Sequence, residues 1–356
     1  MLKRMVKTKL LRYGFRTILC FLIIPISCKK KEYGGMATPE SFVYVANQND
    51  QTISVIDAGK NKVVCNISLE VGPGEIMMPH NVQASPDGKT LWATVNAMDF
   101  TVKDQVVVID PRTNKIIEKI EIGKAVHVAH VILDDESEYA YATATDSNFI
   151  VKINAKTYAI EKKIPLGCCH RPHGLRYNNG RLFVANMMSE TAAIIDVNTY
   201  QITEIPLGGM AMQAALTKDG NKAFFSLNDM KSIAVYDLLK DSLYEINLPG
   251  SAKGPVQIAL TPDDKNLFIC DQGLLGNNAS DLVFVMDVMN NIITDSIKAG
   301  KAAHGIVINP AGTRGYVSNS TGNSVSVINI KEKNVICNVP VGALPVGITY
   351  WTDTGY

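Results

Sequence analysis

Aromatic residues are scarce, at 7% of 356 positions, and the charges nearly cancel to a net +1. A balanced charge leaves no global field to recruit nucleic acid or an acidic partner. The seven cysteines are an odd number with no framework spacing, which argues against a disulfide scaffold. No segment sustains a 3.6-residue apolar period, so a helical solenoid is excluded. The chain also lacks a G-x-S-x-G elbow, a phosphate loop and a C-x-x-C-H haem attachment site. Local metal spacings such as H-E-x-x-H or paired C-x-x-C are missing too. What remains is a chain 46% hydrophobic, enough to fill a substantial core.

The first 28 residues differ from the rest. Lys3, Arg4, Lys7, Lys9, Arg12 and Arg16 make a basic start without an acid, and an apolar run from Thr17 to Ser27 leads to Cys28. That run is about half the roughly 20 residues of a spanning helix, which reads as a signal peptide. Small Ser27 before Cys28 resembles the lipobox of bacterial lipoproteins, although Pro25 and Ile26 stand where a leucine and a small residue are usual. The resemblance implies acylation of Cys28 and a membrane tie through the lipid alone. Residues 29–40 read as a polar tether. Lys29, Lys30 and Lys31 offer no acidic inner-membrane retention signal, so the expected place is the bacterial envelope, at the outer membrane, with the leaflet open.

A repeat organises residues 41–356. Its clearest copy runs "PHNVQASPDGKTLWATVNA", then "QVVVIDPRTNKIIEKIEIG". Turn signals recur at Ser85-Pro86-Asp87-Gly88, Lys218-Asp219-Gly220, Thr261-Pro262-Asp263-Asp264 and Asn309-Pro310-Ala311-Gly312. Short strands rich in Val, Ile and Tyr between such turns predict an all-β closed array. Aligning the first strand of each unit superposes His80, His130, His173, Gln213, Gln257, His304 and Val346. Their spacings are roughly 40 to 50 residues, one four-stranded propeller blade each. The repeat region opens on three strands of a blade and closes on "LPVGITYW", a lone first strand. The fold class expected is therefore all-β: a seven-bladed β-propeller closed by N-terminal strands pairing with the C-terminal strand, leaving no exposed edge.

The "YVAN…TISVIDAGKNKVV" and "SPDGKTLWATV" segments resemble the YVTN-type repeats of bacterial and archaeal envelope propellers. The resemblance covers residues 41–356 and implies a fold, since such propellers carry unrelated functions.

In propeller topology the first strands line the channel and the loops entering them lie on the top face. All six histidines, His80, His127, His130, His170, His173 and His304, fall in those loops or strands. Met77, Met78, Met210 and Met212 precede or enter first strands, and Met187 and Met188 follow a second strand. Cys168 and Cys169 join them in "GCCHRPHG", with Arg171 placed to reach an anionic ligand. Imidazole suits copper, zinc and iron, and added thioether or thiolate favours copper(I). The histidines and the two cysteines are the expected metal ligands, and the methionines and Arg171 the ligand-binding surface. The same residues also admit a structural reading, with histidines bonded to neighbouring carbonyls and methionines as adaptable apolar surface. Cys65, Cys270 and Cys337 lie within strands as small packed hydrophobes. Asn47, Asn96, Asn186, Asn228, Asp271, Asn319 and Thr145 end the second strands, where they cap loops.

Three functions compete. The first is a non-enzymatic envelope lipoprotein holding copper, another transition metal or a metal-containing small molecule in its top funnel. The chain is similar in fold, size and anchor to surface propeller lipoproteins that capture cobalamin for an outer-membrane transporter, which makes such a transporter a candidate partner. The second is a periplasmic redox enzyme or its maturation partner with a histidine-ligated copper or haem d1-like centre. "MPHNVQASPDGK" and "RPHGLR" resemble histidine-bearing strands of nitrous oxide reductase. The third is an interaction scaffold with an idle funnel.

Overall fold

The computed structural model describes residues 40–70, 75–273 and 279–353. The signal segment, Cys28 and all of the tether except Glu40 lie outside them.

The described residues form twenty-eight strands, numbered β1 to β28 in chain order, in seven four-stranded antiparallel sheets. The sheet that closes the ring joins both ends of the chain. β28 (Pro345–Thr352) pairs with β1 (Ser41–Asn47), and β2 (Thr52–Asp57) and β3 (Lys62–Ser68) follow outward. Phe42 faces Trp351 and Val45 faces Ile348 in that register. The inner strands of the other blades are β4 (Met77–Ala84), β8 (Val128–Leu133), β12 (Pro172–Asn178), β16 (Ala211–Leu216), β20 (Pro255–Leu260) and β24 (Ala303–Ile308). Each touches the inner strand of the next blade, and β24 touches β28, so the channel wall is continuous.

The core lies between blades. Seven apolar clusters each combine residues of two adjacent sheets, for example Tyr44, Ile53 and Trp351 with Val82, Leu91 and Val107. Middle strands are buried on both faces, whereas outer strands such as Ile292–Lys298 alternate exposed and covered residues. Cys270 is buried in these clusters and Cys337 packs against one, both as free thiols, whereas Cys65, also buried, is disulfide-bonded rather than a simple packed hydrophobe. The bottom turns carry the expected chemistry. Asp87, Asp219 and Asp263 accept from Ser85, Thr217 and Thr261 hydroxyls at 2.6–2.7 Å, and Gly88 and Gly220 take φ of 70° and 69°.

Three of the second-strand ends tie a blade to the next. Asn96 Oδ1 accepts the Val128 N–H at 2.7 Å, Thr145 Oγ1 donates to Pro172 O at 2.7 Å, and Asn228 Nδ2 donates to Pro255 O at 3.1 Å. Asn47, Asn186 and Asn319 instead bond hydroxyls of the third strand of their own blade.

Candidate metal centre

One departure from regular pairing shapes the channel mouth. In every blade the ladder between the first and second strands shifts register at the aligned position, between Pro79 and Asn81, Val128 and Val131, Pro172 and Leu175, and so on round the ring. A bulge places an extra residue against its partner and re-aims its side chain. Hydroxyls on second strands pin four of these bulges to the neighbouring blade. Thr143 Oγ1 accepts the His130 N–H at 3.0 Å and donates to His173 O at 2.9 Å. Thr94, Ser226 and Ser318 repeat the arrangement. Glycine allows the inner strands to crowd together. A Cβ on Gly174 would lie 2.5 Å from Met212 O, and one on Gly347 would lie 2.7 Å from His80 O.

The crowding gathers the imidazoles. His80, His130 and His173 are buried, and each offers a nitrogen within 4.8 Å of the other two. Ring centroids are 5.6 Å apart for His80–His130, 5.5 Å for His80–His173 and 4.9 Å for His130–His173. His304, three blades beyond His173, still comes within 6.5 Å of His80 across the narrow axis. His127 lies 5.4 Å from His80. It is reached through a left-handed turn (φ 52°) whose Val126 and His127 N–H groups donate to the buried Asp104 carboxylate at 2.9 and 2.8 Å.

Hydrogen bonding fixes which nitrogen is free. His80 Nδ1 lies 3.0 Å from Ala129 O, His173 Nδ1 2.8 Å from Met212 O, and His304 Nδ1 3.2 Å from Gln272 Oε1. Those oxygens can only accept, so Nδ1 carries the proton and Nε2 keeps its lone pair. Metal-binding histidines are oriented in this way. The Nε2 atoms of His130 and His304 are buried without a hydrogen-bond partner among the described residues, a costly arrangement that a ligand would relieve. Burial first, and mutual repulsion second, hold the imidazoles neutral. His80 and His130 titrate well below the ordinary 6.5, His173 at about 4 and His304 at about 3. Neutral imidazole is the ligating form.

Above the trio is a cavity of about 320 Å³, lined by His80, His127, His173 and His304 with Met210, Met212, Val256, Leu344 and Val346. Other expected site residues fall elsewhere. Met77 turns into the interface between the β1 and β4 blades, where it is 1% exposed. Met78 is half-buried outside the cavity lining, as is Met187, and Met188 is exposed. Cys168 and Cys169 are exposed free thiols outside the cavity. His170 bonds Glu204 Oε1 through Nε2 at 2.7 Å and Cys168 O through Nδ1 at 3.1 Å, so it does not join the other imidazoles. Arg171 is paired with Asp146 at 2.6 Å.

No protein-family model and no curated protein matches the chain. Solved structures do. Hydrazine synthase of Kuenenia stuttgartiensis superposes with a TM-score of 0.69 at 15% identity, over 80% of this chain and 91% of that one. Virginiamycin B lyase from Staphylococcus aureus gives 0.65 at 17%, over 88% and 97%. Apo AztD from Citrobacter koseri gives 0.65 at 13%, over 90% and 100%. These likenesses establish the fold alone. The chain is a seven-bladed β-propeller.

Proposed function

We propose that the protein is a metal-binding protein whose His80–His130–His173 trio, at the floor of the funnel, holds a transition-metal ion. The observation that carries this reading is the convergence of three neutral, buried imidazoles from consecutive blades, two with Nδ1 anchored to backbone carbonyls. Nitrogens around a tetrahedral ion bound at about 2.0–2.1 Å are about 3.3–3.4 Å apart, so small rotations of the rings complete the site. The Met210 and Met212 side chains in the same cavity favour copper(I) over zinc. The fourth position faces the 320 Å³ cavity, which has room for a small organic ligand carried on the ion, with His304 and His127 on its sides. The same reading makes the protein a bacterial envelope lipoprotein anchored at Cys28, handing its ligand to an outer-membrane transporter. The support for this is the basic and apolar start and the Ser27-Cys28 step.

The test is titration of chelator-stripped protein with copper(I) and with zinc(II). Wild type should bind one ion, copper(I) the more tightly. His130→Gln should lose more than the roughly 10–100-fold that removal of an outer-shell partner costs, and His127→Gln should lose less. Equal affinity in all three proteins would refute the site.

A further inference from the structure

The other half of the channel is chemically different. Below the histidines is a second cavity of about 450 Å³, bounded by residues of all seven inner strands and opening between bottom turns at Lys218, Pro262 and Asp264. Arg176, three residues after His173 on β12, projects into it. Its Nη1 donates to Leu175 O at 2.9 Å and to Gln213 Oε1 at 3.4 Å. Its Nε and Nη2 have no partner among the described residues, and no carboxylate pairs with it there. The one acid lining the cavity, Asp264, accepts the Lys218 N–H at 2.9 Å. Burial draws the guanidinium down to about 10, which still leaves it charged at neutral pH.

Two further donors lack acceptors. Gln213 and Gln257 are 1% and 4% exposed, and the Nε2 of each is buried without a partner. The orientation of Gln213 is set by its Oε1, which accepts from Ala214 N at 2.9 Å and faces Arg176. Gln257 lines the cavity itself. A half-buried cation with spare N–H groups and the orphaned Gln257 amide on the same cavity form a donor set with no acceptor among the described residues. Leaving such groups unpaired is expensive, and an anion with several oxygens would satisfy all of them together.

We propose that the lower channel is a binding site for a small oxyanion of the phosphate or carboxylate class, held by the Arg176 guanidinium, which Gln213 orients, with the Gln257 amide, and admitted from the bottom face. The site does not depend on the histidine trio above it, and its occupant enters by the opposite mouth.

Calorimetric titration of the full chain tests this, in chelator to keep metal out and at ionic strength held constant with sodium chloride. Sodium phosphate and sodium acetate are the probes. One-to-one saturable binding of either supports the site, and the tighter of the two assigns a tetrahedral or a planar ligand. Arg176→Met should weaken that binding at least tenfold, and Gln257→Leu severalfold. His130→Gln should leave it unchanged, so failure of the metal reading is seen separately. If Arg176→Met does not fold, Arg176→Lys serves, with retained charge but weakened binding through loss of the forked donor. Absence of saturable binding for both anions, or wild-type affinity in the Arg176 variant, would overturn the proposal.

Discussion

Acidification should loosen the metal-free protein well before its carboxylates titrate. His173 and His304 titrate at about 4 and about 3 in the folded chain, against an ordinary 6.5 when unfolded. Between those values the unfolded chain binds protons that the native state refuses. The stabilisation is therefore complete above pH 6.5 and is lost as pH falls toward the folded values. At pH 5.5 each such histidine costs about 1.4 kcal/mol relative to neutral pH. His80 and His130 are also held well below the ordinary value and add to this loss, which is large against the roughly 5–15 kcal/mol that stabilises many domains. Carboxylates such as Asp87, Asp219 and Asp263, held below 3.8 by hydrogen bonds that outweigh burial, contribute only at lower pH. The assay is thermal or urea unfolding in chelator from pH 7.5 to 5.5, with a double His173→Gln, His304→Gln variant alongside. The variant should lose about half of the wild-type pH dependence. A flat wild-type profile, or identical slopes in both proteins, would refute the burial of neutral imidazoles.

Other outcomes follow from the same geometry. Thr143→Val removes the hydroxyl linking His130 N–H to His173 O and should lower stability by about 1–3 kcal/mol in urea melts, while weakening copper(I) binding. Deleting residues 344–352 strips β28 from β1, and the truncated protein should lose its cooperative melt at room temperature; an unchanged melting temperature would contradict ring closure. Replacing Cys168 and Cys169 together by serine should leave metal affinity at the wild-type value, because both thiols are exposed outside the cavity. Cys28→Ala should shift the protein from the membrane to the soluble fraction on fractionation of cells.

The blade count and ring closure were legible because the repeat states its own period. The unmatched strands near Phe42 and Val346 could be completed only by each other. That the four histidines sit on inner strands was legible for the same reason, but the register puts His130 one residue later in its blade than His80, His173 and His304 in theirs. Their meeting point was not legible. Strand periodicity assigns a side chain to a face, but a bulge breaks the period, and its sequence signs are no more than a histidine followed by Gly174 or Gly305, residues that loops also use. His304 comes close to His80 because glycines let the inner strands crowd, a distance that blade counting overestimates. Met77 and Cys169 read as funnel residues because loop direction is set by packing and by left-handed turns such as Cys169 (φ 68°), not by order along the chain. Arg176 stood in plain view in "RPHGLR". That it pairs with no carboxylate among the described residues is a property of the channel, and only the fold reveals it.

The most direct test of the histidine centre is crystallography of copper(I)- and zinc-loaded protein with data collected at each metal's absorption edge. One anomalous peak about 2.0–2.1 Å from Nε2 of His80, His130 and His173 is predicted, with the Nδ1 contacts to Ala129 O and Met212 O retained. A peak on Cys168 and Cys169, or none at the trio, would contradict it.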